Sequence, residues 1–448
     1  MLTRRDVVGA GAALAIAGTG LAAGKPDGFV RREGRRFTIG GKPYRYAGAN
    51  LWYGAWLGAD APYGDRARLR RELDALAAMG ITNLRVLASS EQSPLLHAVE
   101  PAMHDGRGHY DPALLGGLDY LLAEMAKRRM RAVLYLTNFW EWSGGMMTYL
   151  SYVDQGRYIN MNDPAHPWPA FPDHVARFYG NPAAVALYRA HIRAMVGRTN
   201  GITGTAYAQD PTIMAWQLAN EPRPGGSAAI GLAALPAFHA WVRGSARLIK
   251  ALAPHQLVST GSEGLKGSLE RAEIVTATHA IPEIDYLTCH VWPLNWGWID
   301  AANLAGTEAA GAARVSAYLD RHVAIATDLG KPLVIEEFGY PRDGGSFDPA
   351  AGTAFRDRYY RLIHAAVEAD IARGGPTAGS NFWAWSGEGR AAHADHRFRP
   401  GEAAGGGAWL GDPPHEPQGW YGVFGSDEST RAILRDHAAA IAGAGAAA

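Results

Sequence analysis

The chain has 448 residues, 43 basic and 43 acidic side chains, and a charged fraction of only 19%. A neutral and sparsely charged chain has no electrostatic footprint for nucleic acid or for an acidic membrane surface, so neither partner is expected. Its single cysteine, Cys289, cannot form a disulfide framework or a paired-cysteine metal site. A buried, inert thiol is the favoured interpretation, and a Cys289–His290 nucleophile stays open as an alternative.

The first 24 residues have the pattern of an export signal. Residues 3–8, Thr-Arg-Arg-Asp-Val-Val, resemble a twin-arginine signal, and a run of small apolar residues continues to Ala23. This run is shorter than the roughly 20 residues that a membrane-spanning helix needs. We therefore expect residues 1–24 to be removed during export to the periplasm or medium, which leaves 25–448 as a single domain without a membrane anchor.

Strands and helices alternate along most of the remaining chain. A hairpin over 29–32 and 36–39 comes first and is expected to plug the bottom of the main body. Strands are then predicted over 44–50, 81–87, 132–137, 212–216, 256–260, 286–290, 332–337 and 381–385. Helices are predicted over 65–79, 111–129, 232–252, 269–276, 309–329, 351–372 and 429–441, with an alanine-rich helix that ends near 199. This α/β alternation predicts a (β/α)8 TIM barrel.

Two long loops interrupt the alternation, one after the third strand (143–181) and one after the eighth (386–419). Loops of this length in a compact domain are usually functional or disordered. The tryptophans and tyrosines of the first loop argue against disorder.

Two glutamates end two different apolar strands. Glu221 lies in W-Q-L-A-N-E-P, which starts at Trp216, and Glu337 lies in E-E-F-G, which starts at Glu336. Because the carboxyl ends of barrel strands converge on one cavity, both side chains are expected at one mouth. Such a pair suits a glycoside hydrolase that works with two carboxyl groups.

The environment of each carboxyl group predicts its role. Glu337 near Arg85 would be held ionised and suits a nucleophile, whereas Glu221 near that negative charge would hold its proton longer and suits an acid. Adjacent strand residues face opposite sides, so only one of Glu336 and Glu337 can face the mouth. Glu337 is preferred because it lies further along the strand.

More polar and aromatic residues stand at strand ends, and together they favour a binding site over isolated salt bridges. They are Arg85, Asn138, Glu263, His290 and Trp383. Motifs of rival chemistries, namely G-x-S-x-G, the P-loop, G-x-G-x-x-G and H-E-x-x-H, do not occur in the sequence. His393, Asp395 and His396 could offer metal ligands, but solvated loop polarity is the preferred interpretation. We expect no metal and no cofactor.

With these motifs in view, the chain resembles glycoside hydrolase family 5, and within it the β-mannanase group, over nearly everything after residue 29. The resemblance is carried by R-V-L at Arg85, W-Q-L-A-N-E-P-R from Trp216, H-V-W-P from His290, E-F-G from Glu337 and F-W-A-W-S-G-E-G from Phe382.

The resemblance implies a retaining mechanism with Glu221 as acid/base and Glu337 as nucleophile. It also implies that Asn220 binds the sugar 2-hydroxyl, that Arg85 supports the nucleophile, and that His290 and Trp383 line the subsite of the cleaved sugar. Trp52, Trp142, Trp292 and Glu263 complete the predicted substrate-binding set. Many family members carry a tyrosine where this chain has Trp292, which puts a phenol hydrogen bond to the nucleophile in question.

The first functional interpretation is an endo-β-1,4-mannanase that acts on mannan or manno-oligosaccharides without an obligate protein partner. The second is an exo-acting β-mannosidase, in which residues 386–419 wall off the glycone end. A cellulase and a catalytically silent glycan-binding barrel are the further alternatives.

Overall fold

A computed structural model describes residues 28–399 and 408–443. The export signal predicted for residues 1–24 lies outside these residues. Within the described ranges, none of the helices combines the length and the apolar character that crossing a membrane requires.

A small antiparallel sheet precedes the barrel and covers its bottom. It contains β1 (Arg31–Glu33), β2 (Arg36–Ile39) and β3 (Lys42–Tyr44). Phe37 packs edge-on against Tyr286, with 5.3 Å between the ring centres. It also shares an apolar cluster with Val133, Met214 and Val334 of the barrel strands. The predicted hairpin is thus confirmed, with one additional strand.

Eight parallel strands form the barrel. They are β4 (Tyr46–Asn50), β5 (Ile81–Leu87), β6 (Arg131–Tyr135), β7 (Ile213–Gln217), β8 (Leu257–Ser259), β9 (Leu287–Val291), β10 (Leu333–Phe338) and β11 (Thr377–Phe382). The sheet order is β8-β7-β6-β5-β4-β11-β10-β9. Between the two end strands, the Asp285 amide donates to the Val258 carbonyl (2.8 Å) and the Ser259 hydroxyl donates to the Tyr286 carbonyl (3.2 Å). These bonds close the barrel that the alternation predicted.

The helices surround this barrel. They are α1 (Gly54–Leu57), α2 (Arg66–Ala78), α3 (Pro112–Lys127), α4 (Gly145–Val153), α5 (Ala170–Val175), α6 (Pro182–Val196), α7 (Ala228–Leu252), α8 (Ala272–His279), α9 (Leu304–Leu329), α10 (Ala354–Ala372) and α11 (Glu428–Gly443). Asp111 caps α3 through the amides of Ala113 and Leu114, and Pro112 takes the first helical position, as the sequence predicted.

The eighth strand starts four residues earlier than predicted. β11 has the sequence T-A-G-S-N-F, which lacks an apolar run. A Cβ atom at Gly379 would lie 2.8 Å from the ring of Tyr46, and Asn381 donates to Asn83 across the barrel interior. Gly379 is needed for its close contact with Tyr46, and Asn381 is needed for its hydrogen bond inside the barrel. The strand therefore lacks the apolar pattern on which the prediction depended. Beyond it, Trp385–Gly387 (β12) pairs in parallel with Val423–Phe424 (β13).

The loop after the third strand is not irregular throughout. Residues 143–181, called here the helical insertion, contain α4 and α5. α4 is buried along most of its length, and two glycines with positive φ form its N-terminus: Gly144 (+91°) caps the helix and Gly145 (+67°) is its first residue. The amide of Gly145 donates to Glu91 (2.7 Å), and a Cβ atom there would meet the Asn138 carbonyl at 2.4 Å. These glycines resemble loop residues in sequence and hid the start of the helix.

Candidate active site

A cavity of about 840 Å³ opens at the carboxyl ends of the barrel strands. Most residues of the predicted site line it: Glu221, Glu337, Asn220, Glu263, Trp142, Trp292 and Trp383. The sequence-predicted residues are therefore brought together from six different strand ends.

Glu221 follows β7 in a backbone conformation with a φ of +49°. The amide of Asn220 donates to the Thr137 carbonyl (2.8 Å), which continues the pairing between β6 and β7 beyond the strands and fixes the position of the next residue. Glu221 Oε1 lies 2.6 Å from His290 Nδ1, and Oε2 accepts a hydrogen bond from Trp140 Nε1 (2.5 Å). Both carboxylate oxygens thus have a partner in the cavity wall.

Glu337 lies near the end of β10, where the pairing with β9 is irregular between Ile335 and Glu337. Its Oε1 forms an ion pair with Arg85 Nη1, and its Oε2 lies 3.2 Å from His290 Nδ1. One carboxylate oxygen of Glu221, one of Glu337 and a ring nitrogen of His290 all lie within 4.8 Å of one another. This spacing is in the range of retaining glycosidases, whose two carboxyl groups lie about 5 Å apart.

Glu336 also faces the barrel interior, so the prediction that it points to the opposite side is wrong. Both of its oxygens accept from Gln217 Nε2 (2.6 and 2.7 Å), and Oε2 lies 3.4 Å from Arg85 Nε. The irregularity in β10 breaks the strict alternation of side chains and turns both carboxyl groups inward. Glu336 lies beneath the cavity, whereas Glu337 lines it.

Arg85 connects these groups. Its Nε donates to Gln217 Oε1 (2.8 Å), its Nη2 donates to Asn220 Oδ1 (2.8 Å), and its Nη1 contacts Glu337. Burial alone would lower the pKa of Arg85, but the carboxylates of Glu336 and Glu337 outweigh burial and raise that pKa. The guanidinium therefore stays charged and holds both acidic side chains in place.

The hydrogen bond between His290 and Glu221 shifts the pKa values of both side chains. Burial lowers the pKa of His290, but the Glu337 charge and the hydrogen bonds to the surrounding glutamates raise it well above 6.5. Burial raises the pKa of Glu221, but the hydrogen bond from His290 brings it down to about 2. These two pKa shifts favour a charged His290 beside an ionised Glu221, whereas the sequence led to the expectation that Glu221 would hold the proton.

The predicted aromatic residues divide into two groups. Trp142, Trp292 and Trp383 line the cavity, and the Trp292 and Trp383 rings meet edge to face with 5.9 Å between their centres. Trp52 does not line the cavity, and its assignment to substrate binding is a correction. Its indole donates to the Gly411 carbonyl (2.8 Å) and packs edge-on against Trp142, so it supports the cavity wall from behind.

Several cavity residues were missed from the sequence. Trp140 donates to Glu221, and Arg223 lies over the Trp140 ring at 4.8 Å while its Nη2 pairs with Glu263. Burial raises the pKa of Glu263 to about 7 even though Arg223 opposes the shift. The positions directly after strand-end motifs could have revealed Trp140 and Arg223. His415 and Glu416 lie in a proline-rich stretch without strand or helix periodicity, so no comparable signal existed for them.

The remaining sequence candidates lie outside the cavity lining. Asn138 accepts from Asn220 Nδ2 (3.2 Å) and thereby supports it. His396 Nδ1 donates to the Gln418 carbonyl (2.8 Å), and Asp395 pairs with Arg399, so these two point to separate partners and do not converge as metal ligands. Burial raises the pKa of the Cys289 thiol, which disfavours a thiolate nucleophile.

The chain is similar over most of its length to known glycoside hydrolases. A family model described as "GH family 5 beta-mannosidase-like" matches residues 27–445. The curated "Mannan endo-1,4-beta-mannosidase 1" of Oryza sativa subsp. japonica is 30% identical over 379 residues, which are 81% of this chain and 79% of that protein. The "Putative mannan endo-1,4-beta-mannosidase 9" of the same plant is also 30% identical, over 84% of this chain and 86% of its own length.

Among solved structures, the family 5 mannosidase from Rhizomucor miehei superposes with a TM-score of 0.84 at 34% identity, over 94% of this chain and 99% of that one. The endo-1,4-β-mannanase from the same fungus gives a TM-score of 0.66 at 21% identity, over 93% and 99% of the two chains. The second likeness concerns the fold alone.

Proposed function

Since this chain belongs to glycoside hydrolase family 5, we propose that it is a retaining β-mannosidase that releases single mannose units from the non-reducing ends of β-1,4-linked manno-oligosaccharides. The exo mode is the second of the two interpretations that the sequence left open. One observation carries it: residues 408–421, called here the walling segment, contribute four side chains to the lining of the cavity that also contains the two glutamates.

The walling segment contributes Pro413, His415, Glu416 and Trp420 to the cavity lining. Its last residue, Tyr421, packs against Trp292 with 5.0 Å between the ring centres, and Trp292 in turn meets Trp383. Family resemblance makes Trp383 the floor under the sugar that is cleaved off. We propose that a wall on this side limits the glycone end of the cavity to one terminal sugar, which would be the basis of exo action.

The walling segment is held firmly enough to act as a barrier. Asp412 is buried and accepts hydrogen bonds from the amides of Gly419 (2.8 Å) and Tyr421 (2.7 Å). The buried guanidinium of Arg356 donates to the carbonyls of Trp420 (3.2 Å) and Gly422 (3.0 Å). Charged groups bonded to the backbone around residues 419–422 therefore hold the C-terminal end of the segment in place.

The proposed chemistry is a double displacement. Glu337 attacks the anomeric carbon and Glu221 protonates the leaving oxygen, after which Glu221 activates water against the mannosyl ester. The proximity of the two carboxyl groups and the ion pair between Arg85 and Glu337 support this division of roles. Asn220, held by Arg85, is proposed to bind the sugar 2-hydroxyl.

An endo-β-1,4-mannanase is the second candidate, and the names of the curated plant relatives favour it. The two candidates differ in their products. We expect mannohexaose labelled at the reducing end to give free mannose and labelled pentaose first, followed by successively shorter labelled chains. Labelled mannobiose or mannotriose among the first products would favour the endo mode instead. Cellohexaose in a parallel reaction tests the cellulase alternative.

We also propose that the chain is exported after removal of residues 1–24 and that residues 25–448 form one domain. The sequence of the first residues supports export, and the cluster that β2 shares with the barrel supports a single domain. Mass spectrometry of the mature exported protein tests the first point, and retention of Met1 would contradict it. A single cooperative unfolding transition is expected for the second.

A further inference from the structure

We propose that His290 stores the proton that Glu221 delivers to the leaving oxygen, so that imidazole and carboxyl group together act as the general acid. The proposal rests on the double displacement proposed above. It goes further by assigning where the acid's proton resides before the glycosidic bond breaks.

The position of the imidazole carries the inference. His290 is fully buried, and its Nδ1 lies 2.6 Å from Glu221 Oε1 and 3.2 Å from Glu337 Oε2. On the other side of the ring, Nε2 lies 3.7 Å from Glu336 Oε2. A neutral imidazole would direct a lone pair at carboxylate oxygens from one of its two nitrogens. A doubly protonated ring presents an N–H group on both sides.

The local charge balance points in the same direction. Titratable and charged side chains of four neighbouring segments face the ring or its carboxylate partners: Glu221 after β7, Glu263 after β8, Glu336 and Glu337 on β10, and Arg85 on β5. Glu263 is paired with Arg223. Three carboxylates then face one guanidinium in a buried site, where uncompensated charge is costly. One further proton reduces this excess of negative charge. If that proton lies between His290 and Glu221, it is also available for transfer to the leaving oxygen.

Neither Trp292 nor Trp140, the aromatic neighbours of the two glutamates, offers an alternative store for the proton. Trp292, two positions after His290, has no hydroxyl group to donate to Glu337 and instead packs between Trp383 and Tyr421. The Trp140 indole donates to Glu221 Oε2, which directs the transferred proton to Oε1, the oxygen next to His290. The raised pKa of His290 and the lowered pKa of Glu221 agree with this placement.

The proton cycle is balanced over one turnover. The Nδ1 proton of His290 passes to Glu221 Oε1 and then to the glycosidic oxygen as its bond to C1 breaks and Glu337 forms an ester with C1. A water oxygen next bonds to C1 while the ester bond to Glu337 breaks. Glu221 takes the proton of that water and returns it to His290, so the enzyme regains its starting state.

The test compares His290→Asn and His290→Ala on two substrates. Asparagine keeps an N–H group near the position of Nδ1 but cannot carry the extra proton, whereas alanine removes both. On mannotriose, whose leaving group needs an acid, we expect kcat/KM of His290→Asn to fall about 100-fold, the lower end for general acid catalysis. On 2,4-dinitrophenyl β-mannoside, whose leaving group needs no acid, the loss should stay below about tenfold.

The pH profile separates proton storage from a structural role. The wild-type pair keeps its proton up to the raised pKa of His290, so kcat/KM on mannotriose should fall only at alkaline pH. In His290→Asn the alkaline limb should move down by about one pH unit or more, because Glu221 must then hold the proton alone. Equal losses on both substrates with an unmoved alkaline limb would overturn the proposal.

Two controls keep these outcomes distinct. His239→Asn, which alters a half-buried histidine bonded to Thr278 on the outer helices, should leave both the activity and the pH profile as in the wild type. If a His290 variant fails to fold, ¹⁵N NMR of the wild-type histidines provides the answer, since a neutral His290 ring at pH 7 would refute the stored proton. Failure of the wild type to cleave either β-mannoside would instead refute the proposed function.

Discussion

The helical insertion and the walling segment border the same cavity but are held in place by opposite means. The helical insertion packs α4 into the apolar core, where Met146, Met147, Tyr149 and Leu150 are all at most 1% exposed. The walling segment contains little regular structure, and buried polar groups, with Asp412 and Arg356 foremost, bind its backbone. One part of the cavity rim is thus an extension of the core, and the other is an irregular chain fixed by charged anchors.

The two segments also present different surfaces to a ligand. The helical insertion presents Trp168, which is 63% exposed and stacks on Trp140 with 6.4 Å between the ring centres. The walling segment presents His415 and Glu416. A flat exposed ring suits further sugars on the leaving-group side, whereas a fixed polar wall suits recognition of a chain end.

The largest effect is expected at the glutamate pair, in the cavity that both segments border. Glu337→Gln should lower kcat about 10⁴-fold or more on any β-mannoside, because no nucleophile remains. Glu336→Gln, at the neighbouring position beneath the cavity, is the matched control and should retain far more activity. Steady-state kinetics on 2,4-dinitrophenyl β-mannoside measures both. A greater loss for Glu336→Gln would exchange the roles of the two residues.

Removal of a single buried carboxylate should loosen the walling segment, because polar groups hold it in place. The helical insertion has no such dependence, since α4 is held by apolar packing. Asp412→Ala leaves the amides of Gly419 and Tyr421 without their acceptor, so we expect a loss of about 2–4 kcal/mol in the free energy of unfolding. The loosened wall should also admit longer chains, with labelled di- and trisaccharides among the first products from mannohexaose. Urea unfolding and the product pattern test the two parts. If the variant loses stability but still releases only mannose, the walling segment does not determine the exo specificity.

The smallest effect is expected at Trp168, the exposed aromatic residue of the helical insertion. Trp168→Ala should lower kcat/KM on mannotriose roughly 3- to 10-fold, since aromatic stacking contributes about 0.5–1.5 kcal/mol. The melting temperature of this variant should equal that of the wild type, because the Trp168 side chain is mostly exposed. Leu96→Ala is the control: Leu96 is 65% exposed and does not line the cavity. Equal effects of the two substitutions on kcat/KM would remove Trp168 from the binding surface.

The same contrast explains what the sequence could predict. β5 was predicted at its observed bounds because Ile81–Leu87 begins directly after the helix end at Gly80 and is rich in Ile, Leu and Val. The glutamate pair followed from the convergence of barrel strands. Trp52 was misassigned because a tryptophan after a strand can face the cavity or the layer behind it, and only packing decides. Glu416 could not be predicted as a cavity residue, because its segment is positioned by hydrogen bonds from side chains distant in sequence, such as Arg356.

The orientation of Glu336 marks a second limit. Alternation along a strand predicts opposite faces for Glu336 and Glu337, and this rule failed at the irregular pairing of β10 with β9. A register shift arises from contacts between strands that are far apart in sequence. The local pattern of E-E-F-G contains no signal for it.

The central claim, that Glu221 and Glu337 carry out two successive displacements at one anomeric carbon, is tested most directly by the configuration of the first product. Proton NMR during the first minutes of mannotriose hydrolysis, before mutarotation, distinguishes the two anomers of the released mannose. The account predicts β-mannose first, with the α-anomer growing in only as mutarotation proceeds. Initial release of α-mannose would contradict it.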